Sequence, residues 1–493
     1  MKTLLLFLVG IASLVSVAQD GSLDTSFGDG GVVLTDFSNS QDFGEAVVQQ
    51  ADGTLVVAGV KRLSNGDNNV ILVRYLTDGS IDTSFGTGGV VTADYGVGFY
   101  GFAFLFVDNQ DRIVAAGSKN DGSNTFFIVA RYLNDGQLDT TFGTDGTVAI
   151  PGTFEMMLLS DGSFLLVRFS ASDKVSVSHY LSDGALDISF GVNGSALSTF
   201  SGETIQIREI KGDALGNIFL LGTRDNNANT DIFLMKFNPD GYLDPNFGTN
   251  GMATKNIDAL NPMNFSSASL DFTNDNKIVI AGSCGACLDL FEPVIQPFFL
   301  RYNFDGSPDS TFGSDGTILL PISGFVSSGL IVQENQRMLV SGSSVDCFEG
   351  SMYVIYRYFP GGTLDNSFSA VSPIEFYNSK TIAQEDGKIV TVGYTFWYNG
   401  EEEIVLLRHN NNPLSVPEFE TNKLIIYPNP SNGMFTIERG FSEMDTYQIT
   451  DITGKIISQG ELAEKQTQIN FSAAQSGVYF LKTSHGIFRL LKN

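Results

Sequence analysis

Charged side chains on the first β-run of several repeats are the residues best suited to catalysis. Glu45, Glu155, Arg208, Glu209 and Asp271 each lie on a segment that predicts an inner strand. Two carboxyl groups held near a central channel can act as acid and base in polysaccharide cleavage, in a hydrolase or in a lyase. Because these five residues share no common spacing, we assign none of them as catalytic and keep such an enzyme as an alternative.

The three cysteines offer a second possible site. Cys284 and Cys287 form a C-G-A-C pair that lacks the βαβ setting of a redox motif. They are predicted to lie in the loop between the second and third strands of one repeat, and Cys347 in the same loop of the next. Outside the cell Cys347 could pair with either of the other two. No His and Cys set has the spacing of metal ligands, so we predict no metal site and no cofactor.

Long loops on the same face favour a binding function. Trp397, the only tryptophan, stands beside Tyr398 in the loop of residues 394–402. Exposed aromatic side chains among acidic ones suit a sugar or the edge of a protein. The favoured prediction is therefore a binding or adhesion module that is not an enzyme, with a polysaccharide or an envelope protein as its ligand. A structural envelope protein is a further alternative.

One repeated unit must position these residues. The run DGSLDTSFGDGG recurs through the chain, with copies from Asp20, Asp78, Asp135, Asp183, Asp240 and Asp305 and a decayed copy from Gly361. A second signature such as ADGTLVVAG and a third such as LVRY follow in each period. Each period thus holds four short β-rich runs separated by turns, and none shows a helical period. The second Asp of the long signature, Asp24 in the first copy, is predicted to cap backbone amides.

Seven periods of four strands predict an all-β fold, a seven-bladed β-propeller over residues 19–410. The strand in residues 31–37 precedes the first complete blade, and no long signature follows the last one. We therefore predict that this N-terminal strand completes blade 7 and closes the ring, which also removes an exposed sheet edge.

The two ends of the chain carry features of export. Lys2, the apolar residues 4–15 and the small residues at 16 and 18 predict a signal peptide over residues 1–18. No later segment has the ~18 apolar residues of a membrane span. Two prolines mark residues 411–422 as a linker, and the short β-runs of residues 423–493 predict a small Ig-like β-sandwich.

Two parts of the chain resemble known families. The DG-x-LD-x-SFG and EDGKIVTVG runs resemble the delta-60 repeat of bacterial extracellular proteins, a resemblance that implies no reaction. The C-terminal region resembles the sorting domain of the type IX secretion system. The matching residues are Tyr427, Pro428, Asn429, Pro430, Gly433, Asp451, Gly454, Lys455, Gly477 and Tyr479. This resemblance implies recognition by the type IX machinery of a Gram-negative outer membrane, and a protein secreted or anchored at the outer cell surface.

The overall charge argues against one class of partner. Lys and Arg total 28 against 55 Asp and Glu, which gives a net charge of -27. A surface this acidic repels phosphate backbones, so we do not expect nucleic acid to bind.

Overall fold

The computed structural model describes most of the chain, in the residue ranges 20–37, 41–62, 68–95, 101–120, 122–152, 154–171, 173–200, 202–225, 230–256, 265–286, 294–322, 324–346, 350–368, 370–395, 402–411, 424–427, 431–439, 445–451, 455–462, 466–483 and 486–492. These ranges contain strands and turns, and none holds a helix that could cross a membrane. The predicted signal peptide lies outside them, as does the predicted linker except Asn411. The chain divides into two compact units, Met1–Pro413 and Leu414–Asn493.

The first unit begins with one strand, β1 (Val32–Thr35), and continues as four-stranded antiparallel sheets. Sheet 1 contains β2 (Gln41–Gln49), β3 (Leu55–Arg62), β4 (Asn68–Tyr75) and β5 (Val90–Ala93). Sheet 2 contains β6 (Phe104–Val107), β7 (Ile113–Asn120), β8 (Thr125–Tyr132) and β9 (Thr147–Pro151). Sheet 3 contains β10 (Glu155–Leu158), β11 (Phe164–Ala171), β12 (Lys174–Tyr180) and β13 (Ser195–Thr199).

The later sheets of this unit repeat the same order. Sheet 4 contains β14 (Thr204–Gly212), β15 (Ile218–Asp225), β16 (Thr230–Phe237) and β17 (Met252–Asn256). Sheet 5 contains β18 (Phe265–Phe272), β19 (Lys277–Ala286), β20 (Val294–Asn303) and β21 (Thr317–Leu319). Sheet 6 contains β22 (Phe325–Val332), β23 (Met338–Asp346), β24 (Gly350–Tyr358) and β25 (Ala370–Val371). Sheet 7 contains β26 (Phe376–Ala383), β27 (Ile389–Thr395) and β28 (Ile404–His409), and takes β1 as its fourth strand.

Neighbouring sheets pack through apolar faces. The second strands read as unbroken apolar runs because both of their faces are buried. In β3, Val56 and Ala58 pack towards sheet 2, whereas Leu55 and Val57 pack towards sheet 7. Comparable apolar clusters join each sheet to the next one along the chain. The resulting all-β architecture is consistent with a β-propeller.

The N-terminal strand pairs with the last sheet of the unit. Val32 lies opposite Leu407 and Thr35 opposite Ile404 in an antiparallel ladder between β1 and β28. The pairing predicted for this strand is therefore observed. It covers the edge of β28 that would otherwise be open.

A repeated ion pair links the long signature to the third strand of each sheet. In sheet 7, Arg408 Nε contacts Asp24 Oδ2 at 2.8 Å. The equivalent pairs are Arg74–Asp82, Arg131–Asp139, His179–Asp187, Lys236–Asp244, Arg301–Asp309 and Arg357–Asp365. Asp24 also accepts hydrogen bonds from the backbone N and hydroxyl of Ser26, at 3.1 and 2.7 Å. The capping role predicted for this Asp is present, and the ion pair adds to it.

Most of the basic partners also reach the following sheet. Arg408 donates to the carbonyl of Thr77 at 2.6 Å, and its guanidinium lies 4.3 Å from the centre of the Phe27 ring. Arg74 makes the same contacts with the carbonyl of Asn134 and the ring of Phe85. Each such Arg therefore fastens its own signature to the next sheet, and in sheet 7 it fastens the two ends of the unit.

The second unit consists of two antiparallel sheets. One contains β29 (Leu424–Tyr427), β30 (Met434–Arg439) and β33 (Gln466–Asn470). The other contains β31 (Asp445–Asp451), β32 (Ile456–Leu462), β34 (Gly477–Thr483) and β35 (Gly486–Lys492). Buried side chains of both sheets, such as Phe435, Ile469 and Leu481, share one apolar core.

Candidate functional site

The first strands of the sheets bring the charged candidates together. β14 lies beside β10 and β18, and β22 lies beside β18 and β26. Three charged residues occupy equivalent positions on these strands, opposite Val167, Leu221 and Val392 of their second strands. They are Glu155, Glu209 and Lys380. Lys380, which the sequence analysis missed, carries the opposite charge at the same register.

Glu155 is a carboxyl group of this cluster whose pKa is raised into the neutral range. Burial and, to a smaller extent, the nearby charge of Glu209 raise its pKa to about 7, whereas Lys380 and Arg208 oppose the shift. Its side chain is only partly buried and makes no hydrogen bond with another described residue. A carboxyl group with this pKa can accept a proton from a substrate and return it.

Arg208 approaches Glu155 because of a β-bulge. The register between β14 and β15 shifts between Ile207 and Glu209, so Arg208 is the extra residue. Such bulges redirect a side chain out of the regular alternation. The guanidinium donates to Gln206 Oε1 at 2.5 Å. Burial lowers the pKa of Arg208, and the charge of Glu155 partly offsets this, so the two groups are electrostatic neighbours.

Glu209 is tied to the next sheet. Its Oε2 accepts hydrogen bonds from the hydroxyl of Ser269 at 2.9 Å and from the backbone N of Leu270 at 2.5 Å. Burial raises the pKa of Glu209, and Lys211 is the strongest of the neighbours that oppose this shift. The carboxylate therefore positions β18 against β14 and shapes the field around Glu155.

Asp271 is likewise occupied by structural contacts. Its Oδ1 pairs with Lys211 Nζ at 2.7 Å, and its Oδ2 accepts the backbone N of Val332 at 2.7 Å. These bonds join sheets 4, 5 and 6. Glu155, Arg208, Glu209 and Asp271 thus belong to one network, in which Glu155 remains available to a ligand.

Glu45 lies apart from this network, next to sheet 2. It is the extra residue of a bulge between Gly44 and Ala46 in β2. Gly101 has a φ of 113°, and a Cβ there would lie 2.3 Å from Glu45 Oε2, so the glycine makes room for the carboxyl group. Burial raises the pKa of Glu45 to about 7.

Replacing Glu45 with glutamine should change stability in a pH-dependent way. Because the folded pKa is raised from 4.5 to about 7, the stabilising contribution of Glu45 is complete below the unfolded value and is lost as the pH rises through 7. We expect Glu45→Gln to raise the free energy of unfolding by on the order of 2 kcal/mol at about pH 8 and hardly at all at about pH 4. Urea denaturation of the wild type and the variant at both pH values measures the difference in the free energy of unfolding. The exposed Glu385→Gln is the control, and an equal effect at both pH values would contradict the account.

The structure places one of the three cysteines. Cys284 lies within β19, opposite Phe265 and Gln296, and not in the loop where it was predicted. The strand is longer than the repeat signature indicated, which corrects this placement. Cys284 is buried and its Sγ donates to the carbonyl of Gln296 at 3.6 Å. Burial raises its thiol pKa to about 11. Cys287 and Cys347 lie outside the described residues, so their pairing stays a prediction.

The aromatic candidates Trp397 and Tyr398 also lie outside the described residues. The strand that leads to them, β27, carries Tyr394. The Tyr394 ring lies 4.9 Å from that of Phe43 and 5.6 Å from that of Tyr377. This end of sheets 7 and 1 is therefore aromatic in its described part.

The sorting motif occupies turns and strand ends of the second unit. Tyr427 ends β29, Asp451 ends β31 and Gly477 begins β34. The backbone N of Asp451 donates to the carbonyl of Lys455 at 3.0 Å, and the backbone N of Lys455 donates to Asp451 Oδ1 at 3.1 Å. Buried Tyr479 donates its hydroxyl proton to the carbonyl of Gln475. Pro428, Asn429, Pro430 and Gly454 lie outside the described residues.

Gly433 of this motif should not tolerate a side chain. Its φ is 102°, and a Cβ there would lie 2.5 Å from Ser472 Cα. We expect Gly433→Ala to destabilise the second unit by about 2 kcal/mol or more and to reduce the amount of protein outside the cell. Thermal unfolding and immunoblots of the culture medium measure the two effects. The exposed neighbour Asn432→Ala is the control, and equal secretion of the two variants would contradict this role.

Comparison with known families accounts for both units. Five segments match a β-propeller family described as a domain of unknown function (DUF5122), namely residues 50–85, 111–142, 216–247, 273–312 and 384–412. Residues 425–491 match the secretion system C-terminal sorting domain. The chain carries DUF5122 β-propeller repeats and a type IX sorting domain. Both resemblances found in the sequence are confirmed, and the protein is secreted or anchored at the cell surface.

Solved structures resemble this chain at low sequence identity. The polysaccharide lyase Uly1 matches with a TM-score of 0.50 and 13% identity, over 74% of this chain and 90% of the lyase. An α-L-arabinanase from Penicillium chrysogenum matches with a TM-score of 0.39 and 10% identity, over 78% of this chain and 98% of the arabinanase. No curated protein matches. At this identity the likeness to Uly1 concerns the fold alone.

The likeness to Uly1 corrects one prediction. The prediction that the protein is not an enzyme is contradicted, because the fold shared with Uly1 is one that an enzyme uses. The sequence had suggested otherwise because the carboxylates lacked a common spacing. The structure shows that Glu155 and Glu209 nevertheless share one register, since they lie opposite the equivalent residues Val167 and Leu221.

Proposed function

We propose that the first unit of this secreted protein cleaves an acidic polysaccharide by β-elimination, with Glu155 as the base. The observation that carries this proposal is the partly buried Glu155 carboxyl group, with a pKa of about 7, which interacts electrostatically with the positive charges of Arg208 and Lys380. A base near pH 7 combined with adjacent cations suits removal of a proton from the carbon next to a uronate carboxylate. The cations offset the charge that develops on that carboxylate.

The elimination step balances without another reactant. Glu155 takes the proton from the carbon that bears the carboxylate. The electron pair forms a carbon–carbon double bond, and the glycosidic C–O bond on the adjacent carbon breaks. The proton held by Glu155 then passes to the departing oxygen. Arg208 stabilises the intermediate charge as a positioning and electrostatic group.

The contacts of the other carboxylates favour a lyase over a hydrolase. Glycosidases use two carboxyl groups that both face the substrate. Glu209 is bonded to Ser269 and Leu270, and Asp271 to Lys211 and Val332. Within the described network, Glu155 is thus the carboxyl group open to a substrate. Hydrolysis remains the second candidate, and its products differ from those of a lyase.

We also propose that the seven sheets of the first unit form one ring. They would be the blades of a seven-bladed propeller over residues 19–410, with β10, β14, β18 and β26 around its channel. Support comes from the apolar clusters that join each sheet to the next and sheet 7 to sheet 1. We further propose that residues 1–18 are a signal peptide, that 411–422 form a linker, and that 423–493 form an Ig-like sandwich that the secretion machinery recognises.

A substrate screen tests the proposed function. The mature protein, from residue 19 onwards, is incubated with polygalacturonate, alginate and a neutral control such as dextran. We expect an acidic substrate to develop the ultraviolet absorbance of an unsaturated uronate, and dextran to remain unchanged. New reducing ends without that absorbance would indicate hydrolysis, and binding without any product would contradict catalysis at Glu155.

A further inference from the structure

A large groove runs along the outer strand of sheet 3, beside sheet 4. Its volume is about 1140 Å³, and its lining includes all of β13. Lys174 lies opposite Thr199 at one end of β13, Arg168 is level with the middle of the strand, and Val192 and Tyr242 lie near the other end. The five residues of β13 span about 16 Å at the usual rise per residue. This groove is larger than most sites for small molecules and is long enough for an oligomer.

The short third repeat leaves this groove open. The long signature at Asp183 follows the one at Asp135 after 48 residues, whereas the next interval is 57 residues. The hairpin between β11 and β12 has the shortest connection of the seven sheets, since Ala171 and Lys174 bound it. Small side chains on β13, among them Ser195 and Ala196, occupy little of the groove.

The charge of the groove is opposite to that of the protein. No described carboxylate forms an ion pair with Arg168 or Lys174, and the Arg168 guanidinium lies 5.9 Å from the centre of the Phe154 ring. The chain as a whole carries a net charge of -27. Glu203, the one acidic residue of the lining, lies 3.6 Å from Arg224, which also pairs with Asp231 at 3.0 Å. Two unneutralised cations in an acidic surface select an anionic ligand.

An exposed aromatic ring adds a stacking surface. Tyr242 is 55% exposed, and its hydroxyl donates to the carbonyl of Gly191 at 3.1 Å, which fixes the ring across the two sheets. Val192 is 70% exposed and Leu197 61% exposed beside it. A fixed ring, apolar neighbours and donors at the far end match the apolar faces and acidic groups of a charged sugar.

We infer that this groove binds an acidic oligosaccharide through Arg168, Lys174 and Tyr242. The inference goes beyond the proposed function, because it holds whether or not Glu155 is catalytic. Either uronate or sulfate groups would supply the negative charge. An acidic peptide would share the charge but would not need the ring of Tyr242.

Calorimetric titration of the mature protein carrying Glu155→Gln, which blocks turnover, tests the groove. The probes are oligogalacturonate, dextran sulfate and neutral dextran. We expect at least one acidic probe to bind and dextran not to. Arg168→Ala with Lys174→Ala should weaken binding at least about tenfold. Arg62→Ala with Lys255→Ala removes two cations elsewhere and should leave affinity unchanged.

A second pair of variants distinguishes a loss of binding from a loss of folding. Tyr242→Ala should weaken binding, whereas Tyr242→Phe keeps the ring and most of the affinity, with unchanged thermal midpoints for both. Equal affinity of the two double variants would overturn the inference, as would failure of both acidic probes to bind. An acidic peptide that competes equally well in Tyr242→Ala would replace the sugar as ligand. Lyase activity that survives loss of groove binding would leave the proposed function intact.

Discussion

Replacing Asp24 with alanine should lower the free energy of unfolding of the first unit by about 3–5 kcal/mol. Asp24 is 6% exposed and its partner Arg408 4% exposed, so the change leaves a buried guanidinium without its carboxylate. Asp24 Oδ2 also lies 3.0 Å from Lys388 Nζ. The pair joins the first and last repeats, and its loss should loosen β1 from β28.

The pH dependence of this effect has a definite sign. Burial raises the pKa of Asp24, but hydrogen bonds from Ser26 and Lys388 outweigh burial and hold the pKa well below 3.8. The stabilising contribution is therefore present above the unfolded pKa of 3.8 and is lost only as the pH falls through the lower folded value. The difference between wild type and variant should persist at about pH 5.

Urea denaturation followed by tryptophan fluorescence and circular dichroism measures the change. Asp29→Ala is the matched control, because Asp29 is exposed in the same N-terminal segment. A surface substitution of this kind should change stability by less than about 0.5 kcal/mol. Equal denaturation midpoints for Asp24→Ala and Asp29→Ala would show that the buried pair does not hold the two ends together.

Replacing Glu155 with glutamine should lower kcat on an acidic polysaccharide by about 10²–10⁴-fold, with little change in KM. Glutamine keeps the size of the side chain but cannot accept the proton. Glu155 makes no hydrogen bond with another described residue, so we expect the variant to unfold at the temperature of the wild type. The exposed Glu334→Gln should keep full activity.

The wild-type rate should also depend on the ionisation of Glu155. Its pKa of about 7 predicts that kcat/KM of the free enzyme rises as the pH increases through 7, because only the carboxylate is a base. A rate that is flat across this range, or that falls as the pH increases, would assign the proton transfer to another group.

The repeats made much of the architecture predictable. The spacing of the signatures predicted four strands in each sheet. The position of the first strand, before the first complete repeat, placed β1 beside β28, as observed. The ion pair of Arg408 with Asp24 was not predicted. Within a repeat the two positions are 8 residues apart, as in Arg74 and Asp82, but the signatures alone do not show that the two side chains meet in the folded sheet. His179 keeps the same contact, with its Nδ1 2.8 Å from Asp187.

The candidate site was less predictable. The sequence identified Glu155, Arg208, Glu209 and Asp271 as inner-strand residues, but not which carboxyl group stays open. That distinction depends on hydrogen bonds between sheets, such as the one from Leu270 to Glu209. These bonds require the lateral spacing of neighbouring strands, which no signature encodes. The strand position of Cys284 depended in the same way on how far β19 extends past its repeat.

Cleavage of polygalacturonate and alginate in water enriched with heavy oxygen tests the central claim most directly. The mature wild-type protein and its Glu155→Gln variant are compared by mass spectrometry of the products. Elimination at Glu155 predicts unsaturated products without heavy oxygen from the wild type and almost none from the variant. Products that contain heavy oxygen, or equal yields from the two proteins, would contradict a lyase that uses Glu155 as its base.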